Sequence, residues 1–322
     1  MILKEFVNYF LEYKKQRVKI STLDGLKINS KHLLTFFTGD KEINNILSFD
    51  IQNFLDDYHK THGDDSTKNL LHFTKSLFKF GFKFNFLDSK LNLDIIEVIP
   101  KKKTYKDLIE EKEKANNIYT MQDLNNIFEQ IKISEEEKFI FLFGIMTGLR
   151  IGEILALTWC DIDFDKRQIT INKNILKNLN IIDTPKNTSS IREIFISDDL
   201  FDLLKEYQKR QNQNKLLHAR DYIKYFDSKN NKEINFLFRK ANGKKIDYNV
   251  LLNSIRKIKR IDKNFHFHRL RHSFCSQYIK NGVDILFISK ILGHSSITTT
   301  QKIYSHIKNN DLFDIMQKVK IL

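Results

Sequence analysis

Beyond position 146, four segments carry residue types whose spacing suits chemistry on a phosphate. TGLRIGEIL (Thr147–Leu155) sets Arg150 near a helix start, with Glu153 one turn later to hold the guanidinium. TPKNTSSIREI (Thr184–Ile194) puts Lys186 in the turn before a strand. HFHRLRHSF (His266–Phe274) spaces His268 and Arg271 by three, so on a helix they share one face. LGHSSITTTQKIYSH (Leu292–His306) ends a helix at Gly293, opens a polar turn at His294 and leads to Tyr304. Guanidinium forks bind oxyanions bidentately, which an ammonium does less well. A histidine exchanges protons near neutral pH, and a phenol is a possible covalent nucleophile. Taken singly, each segment has a plain alternative: a surface Arg–Glu pair, packing histidines, a core tyrosine. Only 11 of the 54 cations are Arg, so an Arg inside a motif stands out.

The elements that must position these residues fall into two groups. Leu3, Phe6, Val7, Phe10 and Leu11 form an amphipathic helical stripe, as do Ile51, Phe54, Leu55, Tyr58 and Leu70, Leu71, Thr74, Leu77, Phe78. A compact helical domain over 1–98 fits. A charged, nearly apolar-free stretch at 99–118 reads as a linker, with one of the two prolines, Pro100, at its start. From Tyr119 a second domain, 119–322, begins with Thr120 as helix N-cap and Asp123 in the first turn. Another helix is expected over roughly Glu135–Met146. QITIN (168–172) and IREIFI (191–196) read as strands with a hairpin between them, and helices are expected after Asp198 almost to the end. Gly144, Gly148 and Gly152 suggest close helix packing.

Composition narrows the function. The chain has 322 residues with 41% hydrophobic residues and 27 Phe, ample for packed cores. Residues 1–98 are nearly neutral, at +1, and the remainder carries +13 of the net +14. A domain that basic points to a polyanion, nucleic acid first. The phosphate-loop and dinucleotide-binding glycine patterns and H-E-x-x-H are missing from the sequence, which argues against nucleotide motors, dinucleotide enzymes and zinc hydrolases. Cys160 and Cys275 are too far apart for a C-x-x-C motif. The longest apolar run, Phe139–Leu149, falls short of the ~18 residues of a membrane span. The N-terminus lacks signal-peptide features, so a cytoplasmic, nucleoid-associated protein without a membrane partner is expected.

In their order, these motifs resemble the tyrosine recombinases, or phage integrase family, over about 200 residues: R with a nearby acid, a hairpin Lys, H-x-x-R-H, L-G-H-S, then I-Y-x-H. The N-terminal region resembles that family's core-site-binding domain. One departure is the His294–Tyr304 stretch, one residue longer than the common spacing, with Lys302 the extra residue. The resemblance implies a mainly α fold: a SAM-like helical core-binding domain, then a mostly helical catalytic domain with a small antiparallel β-sheet. It implies catalytic residues Arg150, Lys186, His268, Arg271, His294 and Tyr304, with Tyr304 the nucleophile and no metal or other cofactor. In those roles the two Arg hold the phosphate oxygens, His268 is general base, His294 a phosphate donor and Lys186 the acid for the leaving 5′-hydroxyl. Lys173 and Lys177 share the hairpin, but the T-P-K-x-x-x-S-x-R context favours Lys186. The implied partners are double-stranded recombination sites, a homotetramer in the synaptic complex, and accessory DNA-bending or directionality proteins. Leu312, Phe313, Ile315, Met316 and Val319 form the stripe expected to link subunits. Mobile-element integration is the leading role and Xer-type dimer resolution the alternative. A type IB topoisomerase and a non-catalytic DNA-binding protein are the more distant readings.

Overall fold

The computed structural model describes residues 1–88, 91–102, 104, 105, 107, 118–175, 182–183, 191–227 and 231–293. It is mainly helical and divides into two compact units, Met1–Lys106 and Asp107–Leu322. Among the described residues, no helix is long and apolar enough to cross a membrane.

The first unit packs α1 (Leu3–Lys15), α2 (Ile20–Phe37), α3 (Ser48–Thr61) and α4 (Asp64–Lys83) around an aromatic core. Leu3, Phe6, Val7 and Phe10 are buried as their stripe predicts, and Phe10 meets Phe73 and Phe80 edge-on at 6.1 and 5.5 Å. Such ring pairs add a little beyond area burial. Residues 91–102 run back over α3: Ser48 Oγ donates to the Asn92 carbonyl (2.9 Å) and Gln52 Nε2 to that of Glu97 (3.0 Å). Lys101 Nζ reaches the His62 carbonyl at 3.2 Å, so the start of the stretch read as a linker lies against this unit.

The second unit opens with α5 (Met121–Glu129) and α6 (Glu135–Thr147). Both start in capping boxes, Thr120 with Asp123 and Ser134 with Glu137, which satisfy otherwise orphaned helix N–H groups. Tyr119, just ahead of α5, is fixed at both backbone groups: its N–H donates to Ser273 Oγ (2.8 Å), and its carbonyl accepts from Gln277 (3.1 Å). Its hydroxyl bonds Asp262. The short α7 (Ile151–Ala156) leads to a three-stranded antiparallel sheet of order β1–β2–β5. Its strands are β1 (Ile162–Asp163), β2 (Gln168–Ile171) and β5 (Arg192–Phe195). Ile169 faces Ile194 across the β2–β5 ladder, with both side chains buried. Between these strands, β3 (Asn174–Ile175) and β4 (Ile182–Asp183) pair antiparallel.

The expectation of helices throughout after Asp198 needs correction. α8 (Asp198–Leu217) is followed by an irregular stretch to Asp247, and only then by α9 (Tyr248–Ile261), α10 (His268–Lys280) and α11 (Ile285–Leu292). The cause lies in Phe236-Leu237-Phe238, whose backbone pairs with the chain before β1: Leu237 N–H donates to the Leu157 carbonyl (2.8 Å), and Trp159 N–H to that of Asn235 (3.0 Å). The rings of this run pack on α6, with Phe143 5.3 Å from Phe238.

The glycine series packs closely, as expected. A Cβ at Gly144 would come within 2.8 Å of the Phe267 ring, and one at Gly152 would strike the Asn174 side chain and the Ile175 carbonyl.

Candidate active site

Two chain segments meet at one carboxylate, that of Glu153. Gly148 ends α6 with φ +65, a left-handed cap that turns the chain toward Arg150. Arg150 is then the N-cap of α7. Its backbone N–H donates to Glu153 Oε2 (2.9 Å), and its Nη1 to Glu153 Oε1 (2.9 Å). Glu153 is only 5% exposed, so this is no loose surface pair. The opposite side of the same carboxylate is held by Arg192 on β5, with Nη1 3.1 Å from Oε1 and Nη2 2.9 Å from Oε2. Burial alone would push Glu153 upward, but hydrogen bonds and charge from Arg192, then Arg150, hold its pKa below the usual carboxylate range.

Arg271, one turn into α10, is buried and donates from Nη1 to the Gly148 carbonyl (2.9 Å) and from Nη2 to the Leu292 carbonyl (2.7 Å). It thereby clamps the turn before Arg150 to the end of α11. Burial, then the charge of Arg150, pushes the Arg271 guanidinium down to about 9, still protonated at pH 7. His268 sits open to solvent one turn earlier, with the ring of His272 edge-on at 4.9 Å. Desolvation on its protein side, then His272, Arg271 and Arg150, pushes its pKa down to about 4, so the ring is neutral at pH 7. Three guanidiniums against one carboxylate leave the cluster an excess of two positive charges. It is built to attract an anion.

The structure thus brings together Arg150, His268 and Arg271. Lys186, His294 and Tyr304 lie outside the described residues, as does the terminal stripe Leu312–Val319. The rival lysine Lys173 is engaged elsewhere: its Nζ binds Asp161 Oδ2 (2.7 Å) and Thr158 Oγ1 (3.3 Å). Lys177 is also outside the described residues. His266 is exposed, and burial of its inner side, then Arg269, lowers its pKa. Arg192 was not among the sequence candidates. Its signal was the final R of T-P-K-x-x-x-S-x-R in a chain that otherwise prefers Lys.

Comparison with known proteins identifies the family. The phage integrase family pattern matches residues 118–311, more than half of the chain. The chain belongs to the phage integrase family. Residues 2–58 match the family's N-terminal SAM-like domain. A XerC-like tyrosine recombinase of Caldanaerobacter subterraneus is 30% identical over 94% of this chain and 74% of its own. The integrase of Staphylococcus phage L54a is 26% identical over 100% of this chain and 92% of its own. Among solved structures, the Tn1549 transposon integrase in complex with transposon right-end DNA superposes with a TM-score of 0.71 at 20% identity, covering 99% of both chains. A lambda integrase dimer bound to a core site gives 0.62 at 15% identity, covering 94% of this chain and 95% of that one. At those identities the two structures speak to the fold. As a family member, the chain is a tyrosine recombinase, an enzyme of DNA recombination.

Proposed function

We propose that the chain cuts and rejoins duplex DNA at specific sites through a 3′-phosphotyrosyl intermediate. The Tyr304 hydroxyl attacks the scissile phosphorus. The new P–O bond to tyrosine forms as the bond to the 5′-oxygen breaks, so the ester energy is kept for rejoining and no cofactor supplies it. His268 takes the phenolic proton, and Lys186 protonates the departing 5′-oxygen. Arg150, Arg271 and His294 bind the non-bridging oxygens, where negative charge grows in the transition state. The observation that carries this reading is the surplus positive charge of Arg150, Arg192 and Arg271 around Glu153, beside a neutral His268.

Two duplex sites held by a homotetramer would exchange strands through a Holliday junction, with accessory DNA-bending proteins setting direction. Integration and excision of a mobile element is the role favoured by the phage L54a integrase and by the ICEBs1 integrase of Bacillus subtilis, 31% identical over 56% of this chain. The XerC-like relative favours dimer resolution as a second reading. The test is covalent capture on a random pool of nicked duplexes. The unsubstituted protein should yield adducts that survive denaturation, and Tyr304→Phe should bind the same duplexes without forming any. An adduct in Tyr304→Phe would refute the mechanism.

A further inference from the structure

Arg192 lies outside the six residues that carry the proposed chemistry, yet it makes three separate attachments. We propose that Arg192 is a positioning residue: it balances the charge of Glu153 from beneath, so that Arg150 meets a DNA phosphate with its positive charge unspent, and it ties strand β5 to the end of α11. This rests on the phosphodiester reading above.

The donor arithmetic at Glu153 carries the first half. Each carboxylate oxygen accepts two N–H donors, one from Arg150 and one from Arg192: Oε1 at 2.9 and 3.1 Å, Oε2 at 2.9 and 2.9 Å. The Arg192 pair is fork to fork, the arrangement that fixes orientation as well as charge. The two arginine side chains differ sharply in exposure, at 40% for Arg150 and 6% for Arg192. Arg192 therefore works from the protein side, while Arg150 faces outward. Without Arg192, the cluster's excess of positive charge would fall from two to one, and the Glu153 carboxylate would lean on Arg150 for its ion pair. That pair would be close to neutral, and it would draw the outward guanidinium inward.

The third attachment extends the argument. Arg192 Nε donates to the Ile291 carbonyl at 2.6 Å, and the next carbonyl, Leu292, accepts from Arg271 at 2.7 Å. Helix α11 ends there in the left-handed cap at Gly293, one residue before His294. Two arginines from distant segments thus hold consecutive carbonyls of one helix end. Arg192 also lies six residues beyond Lys186 in sequence. A lysine at 192 has one nitrogen where the guanidinium uses three, so it can keep the charge but not both the fork on Glu153 and the bond to Ile291.

The experiment uses the full chain, with nicked duplexes selected by covalent capture from the random pool as substrate. Single-turnover cleavage, binding to uncut duplex and thermal unfolding are measured for Arg192→Lys, Arg192→Ala and the double variant Arg192→Ala/Glu153→Gln. Deleting a donor that touches the reacting oxygens costs about 10²–10³-fold in rate, so disturbing one through its support should cost about 10–100-fold. Arg192→Lys should show that loss with duplex binding unchanged. The double variant removes both charges and so should fold even where Arg192→Ala does not. It should cleave faster than Arg192→Ala, because Arg150 is again unopposed, yet below the rate of the unsubstituted protein, because the tie to α11 stays lost. Full-rate cleavage by Arg192→Lys overturns the proposal, as does a double variant no faster than Arg192→Ala. Tyr304→Phe runs alongside: an adduct there would mean that the phosphotyrosyl reading has failed. Adduct lost in Tyr304→Phe but full-rate cleavage in Arg192→Lys would overturn the role of Arg192 alone.

Discussion

Replacing Gly148 with alanine should strike fold and site together, through the backbone rather than through charge. Gly148 sits at φ +65, a region that costs an ordinary residue about 1–2 kcal/mol. Its new Cβ would stand 2.7 Å from Phe274 Cδ1 and 3.0 Å from Leu292 Cδ2, both in side chains buried in a small cluster with Cys275 and Ile288. Relieving that overlap costs about 1–3 kcal/mol. Against this, alanine restricts the unfolded chain and returns about 0.4–1 kcal/mol. The balance is a loss of about 1–4.5 kcal/mol. At about 2–4 °C per kcal/mol for a unit of this size, melting should fall by roughly 2–18 °C. The chain has one tryptophan, Trp159, in the second unit, so its fluorescence follows the affected unit by itself. The Gly148 carbonyl also holds Arg271, and Arg150 lies two residues on, so cleavage below the melting range should drop by more than about tenfold. A Trp159 transition within 2 °C of the parent, with normal cleavage, would refute the reasoning.

The same substitution at Gly25 should act with the opposite sign. That glycine is exposed inside α2 with nothing within 4 Å of its added Cβ, so Gly25→Ala should stabilise the first unit by about 0.8–1 kcal/mol, read by far-UV circular dichroism. His268 titrates to about 4 rather than at the ordinary 6.5, so the pH dependence of cleavage at sub-saturating DNA should show no His268 inflexion between pH 8 and 5. Because its folded pKa is depressed, its contribution to stability is complete above about 6.5 and declines as pH falls toward 4. An inflexion near pH 6.5 in the cleavage profile would contradict the first statement, and a loss of thermal stability below pH 6.5 no smaller in His268→Gln would contradict the second. Lys173→Ala should lower the Trp159 melting transition, since it strips the charged donor from buried Asp161, a bond of about 1.5–3 kcal/mol, while cleavage persists. Lys186→Ala should lose cleavage and regain it on a 5′-thio leaving group, which departs unprotonated. Thio rescue of Lys173→Ala instead would move the general acid to that residue.

What the sequence made legible were the elements with a strong period. The stripe Leu3–Phe6–Val7–Phe10 and the Ile-rich strands of β2 and β5 show the side-chain spacing their burial requires. α2 is harder to see, because its stripe is broken by Gly25 and polar residues. β1 spans two residues, too short for any period. Phe236–Phe238 is apolar on successive positions and fits helix or strand equally until its partner near Leu157 is known. The site shows the same division. The Arg150–Glu153 and His268–Arg271 spacings are local and readable. Arg192 reaches partners 39 and 99 residues away, and Arg271 a carbonyl 123 residues away, so only the folded chain shows what they hold.

The fastening of Tyr119 has a practical consequence for dissecting the molecule. A fragment starting at Met121 would retain every helix and strand described in the second unit, yet take from Ser273, Gln277 and Asp262 the bond that each makes to Tyr119. Ser273 and Gln277 belong to α10, the helix that also bears His268 and Arg271. A cut chosen from helix boundaries would therefore loosen the floor of the site while sparing its walls. A cut ahead of Ile118 keeps all three of these attachments.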